Sequence, residues 1–304
     1  MSDQNTNQRN LAKGLTYGFG AYLIWGSFPL FISMLAFAPV SEVVGWRILW
    51  GFATAALLVT ATRVWPAVLK VLRNRALVVR LAIASLLILV NWEVYVLGVL
   101  SHQIVQSSLG YFINPLITVI LAVVFLGERL RKAQWVAVGL GAAAVALLTT
   151  DYGHVPWIAL ALALSFGFYG LVKNQIADRV NPLVSFTLES LFVAPIAIGQ
   201  IMLFAPNGQI AFGQEFWPSV GLAFFGVMTA LPLIMFGAAA KHLPLSLVGF
   251  MQYLTPSIQF ALALLVFHEP MSQVRWIGFA LVWAGLAVLT IDMTQKVRSA
   301  VTPL

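Results

Sequence analysis

The sequence contains no cysteine and very little charge. Without thiols there are no disulfides, no zinc-thiolate centres and no thiol chemistry, and the redox compartment stays unspecified. Charged residues make up 9% of the 304 residues, against about one quarter in a soluble globular domain. A soluble chain of this length needs far more than 17 basic and 10 acidic side chains to cover its surface. Most of the outer surface therefore faces lipid. Familiar enzyme and motor signatures are missing as well. There is no Gly-x-x-x-x-Gly-Lys-[Ser/Thr] phosphate loop, no His-Glu-x-x-His helix and no Gly-x-Ser-x-Gly elbow. ATP drive within this chain and intramembrane hydrolysis of those kinds are left without support. The histidines, His102, His154, His242 and His268, all sit at span ends.

What is there is apolar: 61% of the residues are hydrophobic. In hydrocarbon every backbone polar group must be satisfied internally, which restricts a spanning chain to helices or a closed barrel. Runs of about 20 residues rich in Ala, Leu and Gly, without polar/apolar alternation, select helices. Such runs lie near 14–35, 43–62, 78–100, 104–126, 133–150, 155–173, 183–204, 216–239, 244–267 and 273–292. The expected fold is thus an all-α polytopic membrane protein with ten transmembrane helices. The first run has Lys13 ahead of it and Ala36-Phe37-Ala38 after it, like a secretory signal. Its length, Pro39 just after the supposed cleavage site, and a counterpart later in the chain all argue that it belongs to the fold.

The net charge of +7 by itself suggests nucleic acid, but the placement of the basic residues points to membrane topology instead. With ten spans, Arg9, Lys13, Arg63, Lys70, Arg73, Arg75, Arg80, Arg129, Arg131, Lys132, Lys173, Arg179, Lys241, Lys296 and Arg298 share one side. Arg275 stands alone on the other, with Glu42, Asp151, Glu215 and Glu269. The positive-inside rule makes the basic side cytoplasmic and puts both termini there.

An internal repeat is readable directly. Residues 108–151 and 249–292 align without gaps, pairing Pro115 with Pro256, Glu128 with Glu269, Trp135 with Trp276, Leu148 with Leu289, Thr149 with Thr290 and Asp151 with Asp292. Leu-for-Leu matches between membrane helices are common, whereas Pro, Glu, Trp and Asp holding one register are not. The same register carries Trp25-Gly26 onto Phe166-Gly167. Five spans per repeat is an odd number, so consecutive copies enter the membrane in opposite directions, and the expected architecture is two inverted five-helix repeats. The organisation read from this is a disordered cytoplasmic tail over 1–12, a first repeat over 13–151, a second over 152–292 and a cytoplasmic tail over 293–304.

The run Leu109-Gly110-Tyr111-Phe112-Ile113-Asn114-Pro115-Leu116, together with Phe125-Leu126-Gly127-Glu128-Arg129, Gly249-Phe250-Met251-Gln252-Tyr253-Leu254-Thr255-Pro256, Ala21-Tyr22-Leu23-Ile24-Trp25-Gly26 and Asn91-Trp92, resembles the chloramphenicol-sensitivity (RarD) branch of the EamA-type drug/metabolite transporters. The resemblance implies a bacterial inner-membrane permease of two five-helix repeats around a central cavity, and no particular substrate. His268 stands where the first repeat has Gly127, so the two ends of such a site need not be alike.

Ionisable side chains inside a span cost about 2.5–3.5 kcal/mol at a helix centre and usually face a cavity or a partner. Arg47, Glu93 and Glu189 are the candidates for ion pairing or proton coupling. An Arg47–Glu93 pair is one reading; Arg47 snorkelling to headgroups or pairing with Glu42 is the other. Interfacial exposure is an equally good account of Glu189. Gln106, Gly110, Asn114 and Thr118 recur every four residues along one face of the fourth span, and Leu247, Met251, Thr255 and Gln259, with Gln252 beside them, form the related line on the ninth. They read as two polar stripes facing each other across a substrate site, or as interhelical hydrogen bonding. Pro115 and Pro256 read as kinks that free a carbonyl near Tyr111 or Gln252. Tyr22, Trp25, Tyr95, Tyr111, Phe166, Tyr169 and Tyr253 are candidate pocket walls, and Asn91 shares a face with Tyr95. Trp46, Trp65, Trp135, Trp157, Trp217 and Trp276 read as interface anchors.

The functional expectation is a secondary transporter of small organic metabolites or drugs by alternating access, with proton coupling through Glu93 or Glu189, no cofactor and no metal. Its expected partners are a small-molecule substrate and the lipid bilayer, with a homodimer allowed and nucleic acid excluded. An intramembrane lipid-modifying enzyme would show a nucleophile beside a base, and a non-transporting receptor or assembly subunit would not alternate between inward-open and outward-open forms.

Overall fold

A computed structural model describes residues 2–127, 129–204, 210–243 and 251–301. Among the described residues the chain forms twelve helices: α1 (Ser2–Gly26), α2 (Phe28–Ser33), α3 (Val40–Ala61), α4 (Trp65–Leu72), α5 (Arg75–Leu100), α6 (Ile104–Leu126), α7 (Lys132–Tyr152), α8 (Trp157–Asn174), α9 (Pro182–Phe204), α10 (Phe216–His242), α11 (Leu254–Leu265) and α12 (Gln273–Val301). Among the described residues, nine segments are long and apolar enough to cross a membrane, and α11 is a shorter apolar helix. The fold is an all-α, multi-spanning membrane protein.

The nine long segments fall where the apolar runs lie, with α2 continuing the span begun by α1. Helix α11 occupies part of the expected ninth span and by itself rises only about 18 Å, short of a bilayer core of about 30 Å. Leu247, Gly249 and Phe250 of that span, and Glu128, lie outside the described residues. Residues 2–12, expected to be disordered, are helical here as the start of α1, and α12 runs on through the C-terminal tail to Val301. Extending a helix already nucleated by its apolar span adds a hydrogen bond for each residue fixed, so polar residues follow at little cost. Helix α4 lies outside the ten apolar runs. Pro66 in its first turn suits a helix start, and it buries Val68 and Val71 while exposing Trp65, Leu69 and Lys70, as an interfacial helix does.

Helix neighbours set the layout. α7 packs along α12, α3 along α9 and α6 against α11, while α8 packs on α5 and α6 and α1 on α10 and α11. α3 also crosses α10, and α5 touches α9. The α3–α10 crossing depends on glycine: a Cβ on Gly226 would sit 2.5 Å from the Gly51 nitrogen, so any side chain there forces the helices apart. Phe112, Phe260, Phe279 and Trp283 interlock where α6, α11 and α12 meet, with ring centroids 4.5–6.4 Å apart.

The α7–α12 pair is antiparallel and clasped at both ends. Asp151 near the end of α7 accepts from Arg275 Nε at 2.6 Å and Ser272 Oγ at 2.6 Å, and the same guanidinium lies 4.3 Å over the Tyr152 ring. At the opposite end Arg131 Nη2 lies 2.5 Å from Asp292 Oδ2.

The helix ends carrying Glu42 and Asp151 and the loop carrying Glu269, which form an acidic face, are bound by further long-range links. Glu42 accepts from the Ala211 and Phe212 amides at 3.1 and 2.9 Å and from Trp46 Nε1 at 3.2 Å, and the Trp46 ring stacks on Phe212 at 3.9 Å. Trp46 is thus part of a loop clamp rather than a lipid anchor. Glu269 accepts from the Ile104 and Val105 amides at 2.6 and 2.8 Å, which places a carboxylate on the positive end of α6. Burial pushes that carboxyl above its ordinary range, against the opposing effect of the two amides.

Candidate functional site

Helix α3 carries Arg47 into a ring of aromatic residues drawn from both halves of the chain. Its side chain is 4% exposed. Nε donates to Thr229 Oγ1 at 2.9 Å; the threonine spends its own proton on the Phe225 carbonyl at 2.9 Å and so presents a lone pair. The guanidinium carbon lies 4.4 Å from the Trp92 ring centroid, 4.8 Å from Phe225 and 5.5 Å from Phe28. Nη1 has no hydrogen-bond partner, and neither does the buried Tyr95 hydroxyl, which is an electrostatic neighbour of Arg47 along with Tyr111. Ring contacts return about 0.5–2 kcal/mol each, whereas an unpaired buried charge costs several. The charge is therefore answered by rings and one hydroxyl instead of a carboxylate.

No Arg47–Glu93 ion pair forms, and Glu42 is taken by backbone amides. Consecutive residues on a helix point about 100° apart, so when Trp92 faces Arg47 its neighbour Glu93 turns away. Glu93 instead lines an open groove of about 450 Å³ with Pro39, Val40, Ser41, Leu97 and Gln200. Snorkelling is likewise absent, because Arg47 is enclosed.

A second buried charge cluster joins α8 and α9. Glu189 is 3% exposed, which rules out interfacial exposure, one of the two readings of it. Its Oε1 lies 2.6 Å from Lys173 Nζ and accepts from Ser185 Oγ at 2.6 Å, while Oε2 accepts from the Tyr169 hydroxyl at 3.0 Å. Lys173 also donates to Ser185 Oγ. Tyr169 and Lys173 on α8, like Ser185 and Glu189 on α9, are four residues apart, so each helix presents its pair on one face.

Between the two clusters runs a ladder of rings. Tyr95 meets Tyr111 at 5.7 Å, Tyr111 meets Phe166 at 6.1 Å and Phe166 meets Tyr169 at 5.8 Å. Asn91 anchors it: its Oδ1 accepts from the Tyr111 hydroxyl at 3.1 Å, and its Nδ2 donates to the Leu162 carbonyl and Ser165 Oγ. Across the molecule, Tyr22, Trp25 and Phe236 form a separate triad with centroids 5.6–6.2 Å apart.

The two polar stripes do not meet face to face. On α6, Gln106 accepts from the Ile158 amide at 2.9 Å, and Gly110 allows contact so close that an added Cβ would lie 2.7 Å from the Ala159 carbonyl. On α11, Thr255 Oγ1 donates to the Tyr22 carbonyl and Gln259 Nε2 to the Trp25 carbonyl, both at 3.3 Å. Each stripe thus binds a neighbouring helix, α8 for one and α1 for the other. Asn114 Oδ1 and Gln259 Oε1 are buried without partners, while Thr118 and Gln252 are exposed. Pro115 lies inside α6 as expected. Pro256 lies in the first turn of α11, where no intrahelical amide bond is due, so it starts that helix rather than kinking it.

The fold is a multi-spanning helical one, with buried charges and aromatic rings converging between its helices, and its class follows from its relatives. The chain belongs to the EamA-like transporter family, whose model matches residues 12–150 and again 155–291. Its relatives place it in the RarD branch. It is 43% identical over 289 residues to "Protein RarD" of Streptomyces exfoliatus, covering 94% of this chain and 90% of that one. It is 36% identical to "Uncharacterized transporter YojE" of Bacillus subtilis, covering 95% and 97%, and 34% identical to "Protein RarD" of Escherichia coli, covering 94% and 96%. A solved crystal structure superposes with a TM-score of 0.61 at 21% identity, covering 92% of this chain and 98% of that one, and supports the fold alone. Family membership makes this a transporter rather than an enzyme.

Proposed function

We propose that the chain is a secondary active carrier for small organic metabolites, working by alternating access in the bacterial inner membrane with both termini cytoplasmic. In this reading residues 13–151 and 152–292 are inverted five-helix repeats that complete ten spans. Helix packing supports it: α6 on α8 has its repeat-related counterpart in α11 on α1, as α5 on α8 has in α10 on α1. Asp151 and Asp292, mates in the repeat, each meet an arginine at opposite ends of the α7–α12 pair.

The observation that carries the site is the Arg47 cluster. It draws Trp92 and Tyr95 from the first half and Phe225 and Thr229 from the second, and the ring ladder leads from it towards Glu189. Rocking one half against the other would re-form this cluster and so couple substrate occupancy to the open side. Links between the halves at Glu42, Gln106, Asp151 and Glu269 hold the acidic face shut. Substrate would enter this state from the basic face. Glu93, in the groove, is the proposed proton-coupling residue.

The cysteine-free sequence makes the test clean. Single cysteines at Gly213, on the acidic face, and at Arg129, on the basic face, would be labelled with an impermeant maleimide in right-side-out and inside-out vesicles. Opposite sidedness supports the topology, and labelling of both from one side defeats it. Untargeted metabolite profiling of overexpressing and deletion cells, then uptake into proteoliposomes with and without a pH gradient, tests transport. Absence of any transported metabolite would remove the carrier reading.

A further inference from the structure

Resting on that carrier reading and deepening it, we propose that Arg47 is the anion receptor of the site and that the cargo is an organic monoanion: a carboxylate or similar singly charged head on an apolar, ring-sized body. The first support is a census of charge. Glu42 and Glu269 are bound to backbone amides, Asp151 and Asp292 to arginines, and Glu189 to Lys173. Glu93 faces the groove beside Gln200, and Asp178 and Glu215 are exposed. Asp3 and Glu128 have side chains outside the described set. Among the described residues Arg47 has no counter-ion.

The second support is the pair of idle donors. Arg47 Nη1 and the Tyr95 hydroxyl are both buried and both lack a hydrogen-bond partner. A guanidinium has only donors, so its missing partner must be an acceptor, and an oxyanion can take both this proton and the tyrosine's. A cation would be repelled. A neutral amide would fill the hydrogen bonds but leave the charge. A dianion such as a phosphate monoester would leave surplus negative charge among Trp92, Phe28 and Phe225. One fixed positive charge among rings selects one negative charge, and those rings suit a flat apolar body.

The test uses the full-length protein purified in detergent and reconstituted into liposomes. The probes are benzenesulfonate, a permanent monoanion that does not cross lipid as a neutral acid, its neutral isostere benzenesulfonamide, the dianion phenyl phosphate and the cation benzylamine. By calorimetry and thermal shift, benzenesulfonate should bind about ten-fold or more tightly than the other three. Arg47→Gln should remove that preference, and Tyr95→Phe should weaken the anion about ten-fold. Equal binding of sulfonate and sulfonamide, no sulfonate binding, or sulfonate binding unchanged in Arg47→Gln would each overturn the proposal. If Arg47→Gln does not fold, Tyr95→Phe and the selectivity of the unaltered protein still decide it. Transport separates the two readings. Selective sulfonate binding without uptake keeps the receptor and sinks the carrier. Uptake of a neutral or cationic metabolite that survives Arg47→Gln keeps the carrier and sinks the receptor.

Discussion

Arg47 and Glu189 are both buried charges on long membrane helices, each beside a residue at repeat-related positions, Phe28 for one and Tyr169 for the other. They differ in how far the protein answers them. Glu189 has a lysine, a serine and a tyrosine within hydrogen-bond reach, so its charge is compensated internally. Arg47 has one threonine and three rings, with a donor left over. A fully answered charge fits helix bracing; an incompletely answered one, in a family of transporters, fits a place for something that comes and goes.

Breaking the complete cluster should give the largest effect on stability. Lys173→Met strands the Glu189 carboxylate and should cost about 3–5 kcal/mol in thermal unfolding, with the Lys173→Met/Glu189→Leu double variant recovering most of it. A single variant as stable as the parent would show that Glu189 is not held by Lys173. Arg47→Met should do the opposite. Stability should stay level or rise, because an unpaired buried charge is removed, while uptake of the natural cargo falls about ten-fold or more. If unfolding temperature and uptake fell together, Arg47 would be a structural brace like Glu189.

Smaller changes sharpen the contrast away from the clusters. Asp151→Asn weakens the α7–α12 clasp at a partly exposed site, and a loss of about 1 kcal/mol is expected, with faster cysteine labelling on the acidic face. Unaltered labelling would separate that clasp from gating. Glu93→Gln, at the groove, should shift stability by no more than about 0.5 kcal/mol and abolish the dependence of uptake on a pH gradient. Full retention of that dependence would take Glu93 out of the coupling role.

Much of the fold is legible in the sequence, because lipid reduces the choice to helices and hydrophobic length then marks where they lie. The run 78–100 became α5 and 133–150 became α7, each to within a few residues. Helix α4 is not legible in the same way, because eight residues make too short a run to stand out. The candidate site was legible in its members but not in its pairings. Arg47 and Glu189 stand out as charges costly in a membrane, and Tyr95, Tyr111, Tyr169 and Asn91 as candidate pocket residues, yet Arg47 meets neither Glu93 nor Glu42 but Thr229 and three rings. Trp92 and Lys173 carry signals that were there to be used: Trp92 adjoins Asn91, and Lys173 follows Tyr169 by one helical turn. Phe225 and Phe28 carry none, since a phenylalanine in a membrane helix is ordinary until a charge is found beside it.

By itself the sequence determined the solvent, the helices, their approximate ends and the family, because each depends on composition and local periodicity or on similarity along the chain. Tertiary structure decided which buried charge is answered and which is not. Helical rotation of about 100° per residue turns Trp92 towards Arg47 and Glu93 away from it, and the glycine crossing of α3 with α10 brings Thr229 within 2.9 Å. Those directions are settled only when helices far apart in sequence pack side by side.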